Sequence, residues 1–138
     1  MKEKARILVV EDHPSTRAVL QQFLEGSGYV VALADTVSTG LVAARAGSFD
    51  LVVCDLNLPD GTGWDLLEIL QRERAIRAVL FSASDSPELI TRSLAAGFLD
   101  HITKGCDPEE LLKRMEQAMS QPLKPTKIAA LRRSNANE

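Results

Sequence analysis

The 138-residue chain holds 16 Lys and Arg against 19 Asp and Glu, and 45% of it is hydrophobic with only 4% aromatic. That length suits one domain, and the aliphatic composition fits an α/β core while excluding a disordered segment and an aromatic-rich barrel. The net charge of -3 understates how acidic the body is, because Lys124, Lys127, Arg132 and Arg133 gather after Ser120; such a body gives no concentrated basic face for a nucleic-acid backbone.

Arg6 to Val10 reads as a short apolar strand that stops at the acids Glu11 and Asp12. Pro14 and Ser15 open a helix in which Val19, Leu20, Phe23 and Leu24 are expected to share one face before Gly26 and Gly28 close it. Tyr29 to Leu33 is a second strand, and Asp35 with Thr36 supplies capping chemistry for an alanine-rich helix to about Ala46. Phe49 to Cys54, the most continuous apolar strand, ends at Asp55; Leu56 to Gly63 is a turn-rich connection into a third helix over Trp64 to Arg72. Ala78 to Phe81 gives a fourth strand, cut off by the run from Ser82 to Ser86, and a helix follows from Pro87 to Gly97. Phe98 to Ile102 is a fifth strand and Thr103 to Asp107 a loop. Pro108 starts a last helix with Leu111, Leu112, Met115 and Met119 as its stripe, and nothing requires a sixth strand.

Strands alternating with helices predict a mostly parallel sheet covered on both faces, with right-handed crossovers; periodicity leaves the strand order open. The domain is placed at 1-120. Residues 121-138, with two prolines and an apolar patch from Ile128 to Leu131, read as a tail, the patch being a candidate for one loosely docked helix. Cys54 and Cys106 lack the spacing of a redox or metal pair, and Cys54 is expected to be a core thiol. No apolar run reaches the roughly 20 residues that span a bilayer, so a cytoplasmic location without direct membrane contact is expected.

Ligands of an open parallel sheet bind outside the carboxyl ends of its strands. Glu11 and Asp12 follow the first strand, Asp55 the third and Ser82 the fourth, and Lys104 lies just beyond the fifth. Three carboxylates brought together repel one another and carry a desolvation cost, which a hard divalent cation such as Mg²⁺ relieves through oxygen ligands and retained waters. No zinc cage is indicated, since only His13 and His101 offer imidazoles. A cation beside Asp55 would draw electron density from an incoming phosphoryl group, Lys104 would supply mobile positive charge, and the Ser82 hydroxyl could donate to a phosphoryl oxygen. Plainer readings stand beside these. The acid pair could cap the following helix, Ser82 could be an ordinary strand-ending hydroxyl and Lys104 a solvated loop charge; it is their joint occurrence that favours a phosphate-accepting site. Gly61 and Gly63 read as backbone-conformation residues, and Trp64 as a partly exposed anchor at a helix start.

Over roughly Arg6 to Ser120 the chain resembles the receiver domain of bacterial response regulators and hybrid sensor kinases, through "ILVVEDHPSTR", "DLVVCDLNLPDGTG", "VLFSAS" and "HITKG" in that order. The resemblance implies a flavodoxin-like, doubly wound, five-stranded parallel sheet of order 2-1-3-4-5. It implies that Asp55 is the phosphoryl acceptor, Asp12 a direct metal ligand, Glu11 a ligand acting largely through water, and the Asn57 backbone carbonyl the remaining protein ligand. Ser82 and Lys104 take the places of the phosphate-sensing hydroxyl and the lysine; Asn57 and Ser84 sit where the family controls access of the hydrolytic water. The metal implied is Mg²⁺, with Mn²⁺ able to substitute, and the donor a phosphohistidine of a histidine kinase or histidine phosphotransfer domain. Two residues depart from the pattern: Gly105 stands where proline usually follows the lysine, and His101 where the switch residue is usually tyrosine or phenylalanine.

The resemblance thus implies a phosphoacceptor of two-component signalling or a phosphorelay. It is not a conventional turnover enzyme, though it takes part in phosphoryl transfer to its own aspartate and in autodephosphorylation. Output is expected through the fourth helix, fifth strand and fifth helix to a protein target, with no direct nucleic-acid contact. Two parents are open, a stand-alone receiver and the carboxyl-terminal receiver of a hybrid kinase, and "DLNLPDGTGWDLL" favours the second. A small metal-dependent phosphatase and an interaction module that makes no use of phosphate are the competing functions.

Overall fold

The computed structural model describes residues 4–123. Strand β1 (Arg6–Val10) is apolar on both sides: Ile7 and Val9 enter one core cluster while Leu8 and Val10 enter another. A strand with two apolar faces needs cover from both, which a central place in a parallel sheet provides. Strands β2 (Val30–Ala34) and β3 (Leu51–Cys54) flank it, followed by β4 (Ala78–Ser82) and β5 (Asp100–Thr103). The order is β2-β1-β3-β4-β5 with every pairing parallel, the flavodoxin-like arrangement that the resemblance implies.

Helices α1 (Pro14–Gly26) and α5 (Pro108–Met119) cover one face through Leu20, Leu24, Leu111 and Met115. Helices α2 (Val37–Ala46) and α3 (Gly63–Glu73) cover the other through Val37, Ala44, Leu66 and Leu70. Proline at the first turn starts α1, α5 and α4 (Pro87–Ala95). Thr36 and Thr62 begin α2 and α3 with reciprocal capping boxes to Thr39 and Asp65. Helix α4 is the most lightly seated, with Ser93 its only fully buried residue.

Several local expectations are corrected. Val19 is 64% exposed, whereas Leu20 and Leu24 are buried. Because α1 shares its sheet face with α5, its buried stripe is narrow, and Val19 lies about 100° around the helix from Leu20. Strand β5 starts at Asp100 rather than Phe98: Gly97 turns the chain at a φ of 110°, and the Phe98 amide closes α4 on the Ser93 carbonyl at 3.1 Å. Strand β2 runs one residue later than expected, β3 begins only at Leu51, and Ser82 belongs to β4. The connection after Asp55 contains a small antiparallel ribbon pairing Asn57–Leu58 with Gly61–Thr62. The Ile128 to Leu131 patch and the basic residues of the tail lie outside the described residues. Among the described residues no helix is long and apolar enough to cross a membrane.

Candidate functional site

Register builds the site. Val10 lies opposite Cys54, so Glu11 and Asp12 leave β1 beside Asp55 leaving β3, and the Asp55 amide carries the ladder one step further to the Val10 carbonyl at 2.9 Å. Ser82 lies opposite Thr103, which brings the Lys104 amide to the Ser82 carbonyl at 2.8 Å. From there the Lys104 ammonium donates to Glu11 Oε1 at 2.6 Å and to Asp55 Oδ2 at 3.0 Å. The other Asp55 oxygen, Oδ1, accepts the Leu56 amide at 2.7 Å. The start of α3 presses on this turn: a Cβ built on Gly63 would lie 2.5 Å from the Asp55 carbonyl oxygen. Cys54 is a buried thiol that donates to that same carbonyl, and burial pushes its ionisation up, so it remains protonated.

Glu11 is only 2% exposed. Burial pushes its carboxyl up to about 7, with the hydrogen bond and charge of Asp55 adding to the rise and Lys104 opposing it. Burial alone would depress the Lys104 ammonium, but its bonds to Glu11 and Asp55 outweigh that and hold it above its usual value. Glu11 Oε2 and Asp12 Oδ1 are buried without a hydrogen-bond partner. One ligand atom from each of Glu11, Asp12, His13 and Asp55 lies within 4.8 Å of the others. Buried carboxylate oxygens left unpaired are costly, and a donor set of this kind fits a hard divalent cation.

Glu11, Asp12, Asp55 and Lys104 are therefore brought together. Ser82 is buried close by, but its hydroxyl accepts the Ser84 amide at 3.2 Å, and among the described residues it makes no hydrogen bond to Asp55. His101 is 4% exposed and its Nε2 lies 2.7 Å from the Ser84 carbonyl oxygen. A carbonyl only accepts, so Nε2 carries the proton. The ring thus packs inward beneath the loop after β4, with Nδ1 buried and unpartnered. The Asn57 side chain is exposed at the head of the ribbon, and Ser84 is exposed. Gly105 is exposed, has no positive φ and would meet nothing if given a Cβ.

Other residues that shape the site have no role in the sequence reading. Arg17 Nη1 donates to the Glu11 carbonyl at 2.8 Å and so fixes the backbone of the acid pair; its place one turn into α1 is the signal that could have identified it. Asp60 accepts the Val37 and Ser38 amides at 2.7 and 3.0 Å, capping α2 from the ribbon. Arg114 on α5 grips Asp100 with two hydrogen bonds and the His101 carbonyl with a third. Trp64, by contrast, is expected from the sequence as a partly exposed anchor at a helix start, and it is half-buried there, donating to Ser93 at 3.1 Å while the Arg92 guanidinium stacks 3.9 Å from its ring centre.

Relatives share this architecture. The chain is 38% identical over 121 residues to the uncharacterized transcriptional regulatory protein YkoG of Bacillus subtilis, covering 86% of this chain and 53% of YkoG. It is 33% identical over 145 residues to the nitrate/nitrite response regulator NarL of Escherichia coli, covering 98% of this chain and 67% of NarL. The chain thus spans about half to two thirds of the length of these relatives. The non-phosphorylated HemR receiver domain of Leptospira biflexa superposes with a TM-score of 0.79 at 34% identity, covering 88% of this chain and 98% of HemR's. The BeF3-activated receiver domain of Klebsiella pneumoniae RstA gives 0.80 at 27% identity, covering 84% and 99%. The profile described as the response regulator receiver domain matches residues 7–116, and the chain belongs to that family of two-component signalling domains.

Proposed function

We propose that Asp55 is the phosphoryl acceptor of this receiver. The observation that carries the reading is the state of its carboxylate: Oδ1 is tied to the Leu56 amide, while Oδ2 meets the Lys104 ammonium beside the unpartnered oxygens of Glu11 and Asp12. Oδ2 would then be the oxygen that takes the phosphoryl group. Lys104 neutralises charge there as it arrives, and the Leu56 amide holds the carboxylate plane still. Asp12, Asp55, Glu11 and the Asn57 carbonyl would hold Mg²⁺, or Mn²⁺ in its place, with Glu11 acting largely through water. The ion supplies Lewis-acid polarisation and charge neutralisation on the transferring group.

The donor would be a phosphohistidine of a histidine kinase or histidine phosphotransfer domain. The Ser82 hydroxyl only accepts the Ser84 amide, so its own proton is free to donate to the phosphoryl group, and any turn of the hydroxyl toward that group would loosen the loop that His101 holds through the Ser84 carbonyl. Arg114 grips the His101 carbonyl from α5, so the rearrangement has a mechanical route into α4, β5 and α5, the surface offered to a protein target. Ser84 and Asn57 flank the entry of hydrolytic water for autodephosphorylation. We place the domain at 1-120 with 121-138 as a tail, in the cytoplasm. The relatives' names support a regulator parent over a hybrid kinase.

The test is labelling by acetyl phosphate or a phosphohistidine donor, followed by mass spectrometry of the modified peptide. Asp55→Asn is expected to abolish stable labelling, with native incorporation stopping near one phosphate per chain. Stoichiometric labelling of the folded variant on another residue overturns the assignment, and sustained release of phosphate from an external ester would favour a phosphatase.

A further inference from the structure

The metal reading leaves one donor unexplained. His13 stands at the N-cap of α1, yet its side chain makes no capping hydrogen bond. It precedes Pro14, which confines its backbone to an extended conformation. Its imidazole, 68% exposed, turns toward the acids: Nδ1 lies 3.2 Å from Asp12 Oδ1 and 3.8 Å from Glu11 Oε2.

At 3.2 Å an aligned N–H would make a hydrogen bond, but Asp12 Oδ1 has no such partner. The two atoms are close but not aligned for a hydrogen bond with each other. Glu11 Oε2 is likewise buried and unpartnered, while Lys104 binds the opposite oxygen, Oε1. The 3.2 Å spacing to Asp12 suits one ion, since two donors about 2.1 Å from a shared metal stand about 3.0 Å apart at an octahedral edge and about 3.4 Å apart at a tetrahedral one; the 3.8 Å to Glu11 Oε2 is wider than either and fits a carboxylate that acts through water.

We propose that His13 is a nitrogen donor of this site and raises its preference for borderline divalent transition ions over Mg²⁺. The inference rests on the metal reading above and adds selectivity to it. Carboxylates and carbonyls suit Mg²⁺, which takes a nitrogen ligand reluctantly and keeps waters instead, whereas imidazole suits the later first-row ions. An oxygen-only site would still follow the general affinity order of these metals, so the informative quantity is how far the preference depends on His13.

Zn²⁺ and Mg²⁺ affinities are to be measured by calorimetry on the full chain, as native protein, His13→Ala and Asp12→Ala. The ratio of Zn²⁺ to Mg²⁺ affinity is expected to fall at least tenfold in His13→Ala. In the ¹⁵N-labelled native protein, the Nδ1 resonance of His13 is expected to move on Zn²⁺ saturation. An unchanged ratio, or a His13 Nδ1 resonance that stays put at saturation, overturns the proposal; the second readout needs no variant to fold. Failure of the underlying reading looks different: the native protein takes up no Mg²⁺, or Asp12→Ala leaves Mg²⁺ affinity unchanged. If Asp12→Ala weakens both ions while the ratio survives His13→Ala, the metal site stands and only the role of His13 is lost.

Discussion

Gly63→Ala tests whether the acceptor turn and the start of α3 are pressed together as tightly as the structure shows. The added Cβ would stand 2.5 Å from the Asp55 carbonyl oxygen and 3.1 Å from both Cys54 Sγ and Leu80 Cδ1, where approaches under 3.0 Å are essentially never seen. The backbone must therefore yield by at least about 0.5 Å, and its partner is main chain rather than the end of a flexible side chain. Two effects compete. Gly63 has no positive φ, so alanine would ordinarily stabilise by about 0.4–1 kcal/mol through the unfolded chain. Overpacking a tight site costs about 1–3 kcal/mol. The balance predicts a loss of about 1–2 kcal/mol, a fall in Tm of roughly 3–8 °C for a domain of this size. Urea unfolding followed by far-UV circular dichroism reads the difference directly. Because the displaced carbonyl belongs to Asp55, slower labelling by acetyl phosphate should accompany the lost stability. A variant as stable as the native protein, or more so, refutes the close approach.

Gly105→Ala is the counterpart, with open space and an ordinary φ; a gain of about 0.4–1 kcal/mol is expected in the same assay, and a loss would mean that the lysine loop needs glycine. Leu70→Ala removes a fully buried side chain from the α2–α3 core and should cost about 3–5 kcal/mol in urea unfolding, with less than about 2 kcal/mol contradicting its packing. Asp60 accepts the amides of Ser38 and Val37, which hold its carboxyl below the usual 3.8. Its contribution is therefore full above that value and is lost as pH falls through the lower folded one. Asp60→Asn should lower Tm at pH 7, with the gap to native closing on acidification below about pH 4; a gap that is constant with pH refutes the charge-assisted cap.

The element sequence was legible because β1 to β4 are nearly continuous apolar runs and each helix opens on proline or a hydroxyl cap; β5, with Ile102 as its one aliphatic residue, was legible only in part. Strand order was not, since which strand lies beside β1 is decided by packing far along the chain; the family resemblance supplied it. That Glu11, Asp12, Asp55 and Lys104 come together was legible because they lie just beyond strand ends at one edge of the sheet, whereas Ser82 is the last residue of β4 and its hydroxyl accepts the Ser84 amide. The bond from Lys104 to Glu11 needs the registers of β5 on β4 and β3 on β1 together, which no local pattern encodes. The Asp60 cap was hidden for the same reason, its amides lying 22 and 23 residues back. The exposure of Val19 is not encoded locally, because the apolar pattern of α1 is silent about α5 as its neighbour on the sheet.

Helix α4 buries only Ser93 completely, and Leu94 at its far end is 48% exposed. An element with so little apolar area to lose can part from the sheet at a fraction of the free energy of global unfolding. Its amide protons should therefore exchange with solvent through sub-global opening, while those of β1 and β3 wait for the whole domain. A helix held this lightly is an element that a partner can capture in more than one pose, and its coupling to Trp64 through Ser93 would report each pose in the indole fluorescence.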